Sequence, residues 1–351
     1  MSYIAKPKIV HPDVPRNSLG LSHIDYEGVV STLCAGCGHD SITAAIIQAI
    51  FELNIEPHMI GKMSGIGCSS KTPAYFVSQS HGFNSVHGRM PSVTTGANAA
   101  NCELTYIGVS GDGDSLSIGM GQFAHAIRRN LNMTYFIENN GVYGLTKGQY
   151  SASADIGSRT KKLPVNQQMP IDPATVAISL GASFVARSFS GDKEQLVPLI
   201  KSAIKHKGFG LLDIISPCVT FNDNDGSTKS YSHVRKFYHQ VIDTDFVPPA
   251  EEIKAAYKEG EAMPIELHDG GKIVIRKINK DYDPTSRSTA FSFLRDGVRK
   301  GEILTGLLYL DKESADMHDI SGTVEKPLAQ IPYEELNPGA EALAKVMDRY
   351  R

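Results

Sequence analysis

Between residues 104 and 215 the chain switches repeatedly between short unbroken apolar runs and stretches whose apolar positions recur every three or four residues. Unbroken runs of strand length mark strands buried on both faces, and the three-to-four recurrence marks helices with one buried face. Leu104–Ser110 and Met133–Ile137 read as two such strands. A helix from about Ser117 to Arg129 joins them, with Ile118, Phe123 and Ile127 facing inward. This is a β-α-β unit, whose right-handed crossover makes the two strands parallel. Two more helix–strand alternations follow, Pro173–Leu180 to Ser183–Arg187 and Asp192–His206 to Gly210–Ile215. The pattern predicts an α/β fold with a doubly wound, mostly parallel sheet, and ligands at the carboxyl ends of its strands.

Upstream, the apolar stripe of Ile42, Ala45, Ile46, Ala49 and Ile50 predicts a helix from about Asp40 to Leu53, capped by Asp40 or Ser41. A short strand around His58–Met63 runs into the Gly/Ser-rich loop Ser64–Lys71, and Thr94–Asn101 reads as a small-residue helix. Residues 1–30 are Pro-rich and aperiodic, as expected of an N-terminal arm. After about Ser227 the pattern loosens into a strand-like stretch at Gly270–Ile278, an apolar run at Glu302–Leu310 and a helix at Glu334–Asp348. The expected division is an arm (1–30), a ligand-binding domain (31–226) and a C-terminal extension (227–351).

Composition narrows the function classes. The 351 residues are 41 % hydrophobic and 21 % charged, enough for one large domain with an appendage. A net charge of −3 gives no basic field for nucleic acid or an anionic membrane. Neither a leader-type apolar segment nor an 18-residue apolar run occurs, so a cytoplasmic protein is expected. Five cysteines, an odd number, argue against a complete disulfide framework and for metal binding or chemistry. Many of the 32 glycines fall between Gly61 and Gly148, where backbone must turn tightly or approach a ligand.

Two motifs lie at predicted strand ends. Gly111-Asp112-Gly113-Asp114 ends the first strand of the β-α-β unit, where glycine N–H groups and a helix N-terminus suit a diphosphate. Glu138-Asn139-Asn140-Gly141 ends the second. A magnesium ion on a diphosphate takes hard oxygen ligands. Asp112, Asn140 (28 positions later) and the backbone carbonyl of Val142 supply them. This spacing resembles the thiamine diphosphate fingerprint, which implies that Gly111, Gly113, Asp114, Gly144 and Leu145 line that cofactor. Ile66, Gly67 and Ser69 of the loop after the first strand are assigned to it as well.

Cys34-Ala-Gly-Cys37, Gly67-Cys68-Ser69-Ser70-Lys71 and Ser216-Pro217-Cys218 place four thiols on separate loops. Such a set suits a [4Fe–4S] cluster; a tetrahedral zinc site uses the same ligands, and a redox-active CxxC is a third reading. Cys102 matches no ligand position and is expected to be a small buried side chain.

CxxC, GCSSK, HGR, GDGD, ENNGVYGLTKGQ and SPC follow one another in an order and spacing that resemble the β subunit of 2-oxoacid:ferredoxin oxidoreductases, over about residues 30 to 240. The likeness is greatest to the 2-oxoglutarate type, with pyruvate or a broad 2-oxoacid range as the alternative. It implies a [4Fe–4S] cluster on Cys34, Cys37, Cys68 and Cys218, beside thiamine diphosphate and Mg2+. Thiamine diphosphate takes up the electron pair freed when a 2-oxoacid loses carbon dioxide, and an adjacent cluster removes electrons singly. Coenzyme A then takes the acyl group. The implied partners are an α subunit, which supplies the carboxylate that activates the cofactor, and a ferredoxin as electron acceptor. Lys71 and Lys147 are candidates for a substrate carboxylate or a coenzyme A phosphate. His87 and Arg89, of the HGR loop, either position substrate or fix the loop.

Overall fold

The computed structural model describes residues 11–159, 163–240 and 282–351, together with short strands between them. Its main sheet is built from β1 (Ile60–Ser64), β2 (His81–Asn84), β3 (Thr105–Gly111), β4 (Met133–Asn139), β7 (Phe184–Phe189), β8 (Phe209–Ile215), β9 (Tyr238–Gln240) and β13 (Ile303–Leu310), in the order β2-β1-β3-β4-β8-β7-β13-β9. Every neighbouring pair is parallel except β13 with β7. A hairpin, β5 (Val142–Tyr143) with β6 (Gln149–Tyr150), leaves the end of β4. A separate antiparallel sheet joins β10 (Ile242–Val247), β12 (Lys272–Lys277) and β11 (Ala262–Glu266). The strand-like stretch read at Gly270–Ile278 contains β12, and the rest of it lies outside the described residues.

Helices cover both faces, as the alternating pattern requires. On one, α1 (Gly38–Glu52) packs on the later α5 (Lys193–Lys205). On the other, α2 (Met90–Ala100), α3 (Met120–Arg128), α4 (Pro173–Leu180) and α7 (Arg287–Lys300) pack in succession. The remaining helices are α6 (Tyr231–Phe237), α8 (Met317–Ser321), α9 (Tyr333–Leu336) and α10 (Gly339–Asp348). The predicted stripe of α1 is fully buried, and β4 and β8 are buried at every residue. Burying that much apolar surface in one layer is what holds the parallel strands together.

Local chemistry moves several boundaries. α1 begins at Gly38 with Cys37 as N-cap, so Asp40 lies in the first turn and neither Asp40 nor Ser41 caps it. The helix expected over Ser117–Arg129 is interrupted: Asp114–Ile118 is a π-helical turn, Gly119 breaks it, and α3 follows. In that turn Ile118 is half exposed rather than inward, while Phe123 and Ile127 are buried. The expected helix Glu334–Asp348 is split at Asn337-Pro338, because proline cannot donate the hydrogen bond that continues a helix. Beyond residue 226, β9 and β13 join the main sheet, so the C-terminal stretch shares its hydrogen-bond ladder.

The N-terminal arm is pinned. Tyr26 is fully buried, its hydroxyl donating to Ile55 O at 2.9 Å, and the N–H groups of Gly28 and Val29 donate to Tyr75 O and Ala74 O. Under this contact lies Lys62 of β1, its ammonium donating to Phe76 O at 2.7 Å and Val77 O at 2.9 Å. Val77 has φ +39°, which a β-branched residue adopts only under constraint, so Lys62 helps hold a strained turn. Burial draws the Lys62 pKa down to about 8. A neutral amine keeps two N–H donors, enough for both carbonyls. Between pH 8 and the unfolded value near 10.4 the unfolded chain binds more protons at this residue, so stability rises with pH there. Denaturant unfolding of wild type against Lys62→Met at pH 8, 9 and 10 should therefore show the wild type gaining relative to the variant as pH rises. A pH-independent gap would contradict it.

Candidate active site

β1, β3, β4 and β8 are adjacent and parallel, so their carboxyl ends deliver four loops to one place. These are the Gly65–Lys71 loop, the Asp112 turn, the Asn140 hairpin and the Ser216–Cys218 segment. Between them lies a cavity of about 440 Å³, open solvent included. All eleven residues assigned to the cofactor from the sequence line it, from Ile66, Gly67 and Ser69 to Gly144 and Leu145. Cys68, His87, Tyr143 and Thr146 line it too.

The two aspartates of the motif differ in use. Asp114 is buried and spends its carboxylate on the protein: Oδ1 accepts from Gly88 N at 2.8 Å, Oδ2 from Ser110 Oγ at 2.8 Å and Ile66 N at 3.3 Å. It clamps three loops around the cavity. Asp112 is also buried, but the hydroxyls of Ser151 and Ser153 both donate to its Oδ2, leaving Oδ1 for a metal. Asn140 Oδ1 accepts from Val142 N at 3.0 Å and retains a second lone pair. The turn is fixed from above by Tyr143, whose hydroxyl donates to Gly113 O at 3.0 Å. A Cβ on Gly113 would stand 2.4 Å from that ring, so only glycine fits. One carboxylate, one amide oxygen and a nearby backbone carbonyl make a hard-oxygen set that fits Mg2+. Among the described residues no group of three or more His, Cys, Asp or Glu is arranged to hold a metal ion.

The Asp112 turn is also tied to the neighbouring strands. The single proton of Ser153 Oγ is shared between Asp112 Oδ2 and Asn139 Oδ1 (2.7 Å), Asn139 Nδ2 donates to Asp213 Oδ1 at 3.0 Å, and Arg187 Nε donates to Asp213 Oδ2 at 2.7 Å. Arg187 also pairs with Asp172, the N-cap of α4. Arg187→Ala would leave two carboxylates without their cation. We expect a loss of about 3–5 kcal/mol of unfolding free energy by chemical denaturation, and a loss under 1 kcal/mol would contradict the role given to this network.

Of the four motif cysteines, Cys68 lines the cavity and Cys218 lies close to the same Gly144. Cys34 is exposed, its Sγ accepting from Thr220 Oγ1 at 3.5 Å. Cys68 and Cys218 flank the backbone of Gly144: a Cβ there would lie 3.4 and 3.7 Å from their Sγ atoms. Burial pushes the Cys37 thiol up to about 12. The Cys68 thiol is raised by burial and by Cys218 and Cys34, with Lys71 opposing. Thiols raised by burial, as Cys37 and Cys68 are, make poor free nucleophiles, whereas a coordinated iron deprotonates them outright. Four thiols are the donor type that an iron–sulfur cluster uses. Cys102 stands apart, half-buried rather than buried, and its Sγ donates to Glu325 O at 3.0 Å.

Of the substrate candidates, His87 reaches the cavity lining and the other three do not. Lys71 turns toward the segment before Cys34, Nζ donating to Thr32 Oγ1 at 3.3 Å. Lys147 is exposed on the hairpin with φ +83°, and Arg89 is exposed at the N-cap of α2.

Sequence reasoning passed over His39 and Glu138, both fully buried between the cysteines and the cavity. His39 Nδ1 lies 2.6 Å from Ser216 Oγ and 3.4 Å from Glu138 Oε2, while Thr72 Oγ1 donates to both Glu138 oxygens. Burial lowers His39 to about 4 and raises Glu138 well above its ordinary value, so both favour their neutral forms. Their signal was positional: His39 sits two residues after Cys37, and Glu138 two before Asn140.

Comparison with known proteins adds the family context. Residues 62–214 match the family model of the C-terminal TPP-binding domain of thiamine pyrophosphate enzymes. The chain is 44 % identical over 210 residues to the β subunit of a 2-oxoacid:ferredoxin oxidoreductase of Saccharolobus solfataricus, over 60 % of this chain and 66 % of that one. It thus spans slightly less than two thirds of that relative's length. A 2-oxoglutarate synthase subunit KorB of Methanocaldococcus jannaschii is 33 % identical over 62 % of this chain and 80 % of its own. Among solved structures, a chain of the 2-oxoglutarate:ferredoxin oxidoreductase of Magnetococcus marinus, with 2-oxoglutarate, coenzyme A and succinyl-CoA bound, superposes with a TM-score of 0.72 at 28 % identity. That match covers 92 % of this chain and 97 % of the other. Among the described residues no helix is long and apolar enough to cross a membrane.

Proposed function

This chain belongs to the β-subunit family of the 2-oxoacid:ferredoxin oxidoreductases, and we propose that it carries the thiamine diphosphate and iron–sulfur half of such an enzyme. The observation that carries this reading is the shared wall: Cys68 and Gly144 both line the cofactor cavity, and a Cβ on Gly144 would lie 3.4 Å from Cys68 Sγ and 3.7 Å from Cys218 Sγ. Asp112, Asn140 and the Val142 carbonyl would hold Mg2+, and Cys34, Cys37, Cys68 and Cys218 a [4Fe–4S] cluster. When bound, thiamine diphosphate supplies an electron sink for decarboxylation, and the cluster an outlet for electrons one at a time.

The residues of this chain then have separable tasks. Ser151 and Ser153 orient Asp112, Tyr143 holds the Gly113 turn, and Asp114 closes the loops over the cavity. His87 stands at the cavity where substrate would enter, whereas Lys71, Lys147 and Arg89 do not line it. The reaction would convert a 2-oxoacid and coenzyme A to acyl-CoA, carbon dioxide and a proton, passing two electrons to two ferredoxins. The substrate we favour is 2-oxoglutarate, in keeping with the names of the relatives. An α subunit would complete the site with the carboxylate that activates the cofactor.

The test is an anaerobic assay of the chain co-purified with its α subunit, using a panel of 2-oxoacids, coenzyme A and a viologen dye. Reduction that needs both 2-oxoacid and coenzyme A, fastest with 2-oxoglutarate, is the expected result. A colourless complex that decarboxylates without reducing the dye would sink the reading.

A further inference from the structure

Four elements meet at one imidazole. His39 projects from the first turn of α1, two residues after Cys37, and is fully buried. Its Nδ1 faces Ser216 Oγ at 2.6 Å, two residues before Cys218. Its Nε2 faces Asn140 Nδ2 at 3.5 Å and Ser69 Oγ, next to Cys68, at 3.4 Å. The orientation of the Asn140 amide is not free. Its Oδ1 accepts from Val142 N at 3.0 Å, so the NH2 group must point at the histidine. An amide NH2 only donates, which makes Nε2 the acceptor and places the ring proton on Nδ1, donated to Ser216.

We propose that His39 is a positioning residue which, as the Nδ1–H tautomer, joins Val142 N–H in holding the Asn140 amide with its oxygen toward the metal site. With the opposite tautomer, Nε2–H would compete for that oxygen and turn the NH2 toward the cation, removing a ligand. The same ring ties the segments bearing Cys37, Cys68 and Cys218 to the metal loop, so one side chain sets the spacing of both centres. The inference rests on the function proposed above, because it presumes a magnesium–diphosphate site at Asn140.

Two isosteres separate its parts. Glutamine carries an acceptor oxygen near the Nε2 position and can still receive the Asn140 NH2; asparagine reproduces only the Nδ1 donor. Mg2+ is titrated into the anaerobic α–β complex with thiamine diphosphate present, followed by the circular dichroism of the bound cofactor. Iron and labile sulfide are counted in each sample. We expect His39→Gln to bind Mg2+ close to wild type and His39→Asn to bind about tenfold or more weakly, the usual scale for groups that orient a metal ligand. Equal affinities in the two variants would overturn the proposal. A readout that needs no substitution is the 15N spectrum of the labelled wild-type imidazole, where a proton on Nε2 would overturn it as well. Failure of the wild-type complex to take up thiamine diphosphate with Mg2+ would instead sink the function reading.

Discussion

Asp112→Asn should reduce 2-oxoacid-dependent viologen reduction to background while the iron content and visible absorbance stay at wild-type levels. The reason is the use of the two carboxylate oxygens. Ser151 and Ser153 both donate to Oδ2, so the carbonyl oxygen of an asparagine would settle there and its NH2 would face the metal site. An NH2 group carries no lone pair for Mg2+. Losing an anionic ligand to a hard cation should weaken Mg2+ by at least the 10–100-fold seen when only a supporting group is removed. The substitution keeps the side-chain volume and the oxygen that accepts from both serine hydroxyls, so folding should be little affected. Retained activity would remove Asp112 from the metal site, and loss of iron together with activity would make its role structural.

Replacing any of Cys34, Cys37, Cys68 or Cys218 by serine should strip most of the iron and bleach the brown absorbance of an anaerobic preparation. Cys102→Ser should leave both intact. Four thiolates hold four irons, and serine is a poor substitute because its hydroxyl stays protonated where a thiol would ionise on the metal. Cys68 and Cys218 flank Gly144, and Cys37 and Cys68 each feel the charge of Cys218. Cys102 instead bonds Glu325 O and touches none of them. A zinc protein would give the same metal loss from a colourless wild type, so the colour is the deciding measurement. Iron retained in full by Cys68→Ser would contradict the assignment.

Much of the architecture was legible in the sequence because it depends on near neighbours. An unbroken run such as MTYFI has one stable use, a strand covered on both faces, and its sequel ENNG ends it with residues that favour a turn. The Gly111–Asp114 and Asn140 loops could be placed on neighbouring strand ends by the crossover rule alone. The errors had local causes as well. Gly119 interrupts the helix after the Asp112 turn, and a π-helical turn, where Ile118 points outward, obeys no simple periodicity. Pro338 was in plain view inside the last helix and should have split it.

The sequence by itself determined the parallel sheet, the loops that carry the chemistry and the residue types on them, because strand burial and turn formation are decided within a few residues. Only the tertiary structure decided which oxygens and nitrogens are free to act. Asp112 and Asp114 are near twins in the sequence, yet one is braced by Ser151 and Ser153, and the other is consumed by Gly88, Ser110 and Ile66. The place of His39 beside Cys37 was visible in the sequence, but its partners were not until folding brought it against Ser216, 177 residues away, and Asn140, 101 residues away. Burial turns such contacts into constraints, because a polar group removed from water must find its partner inside the fold, and which partner depends on the whole chain at once.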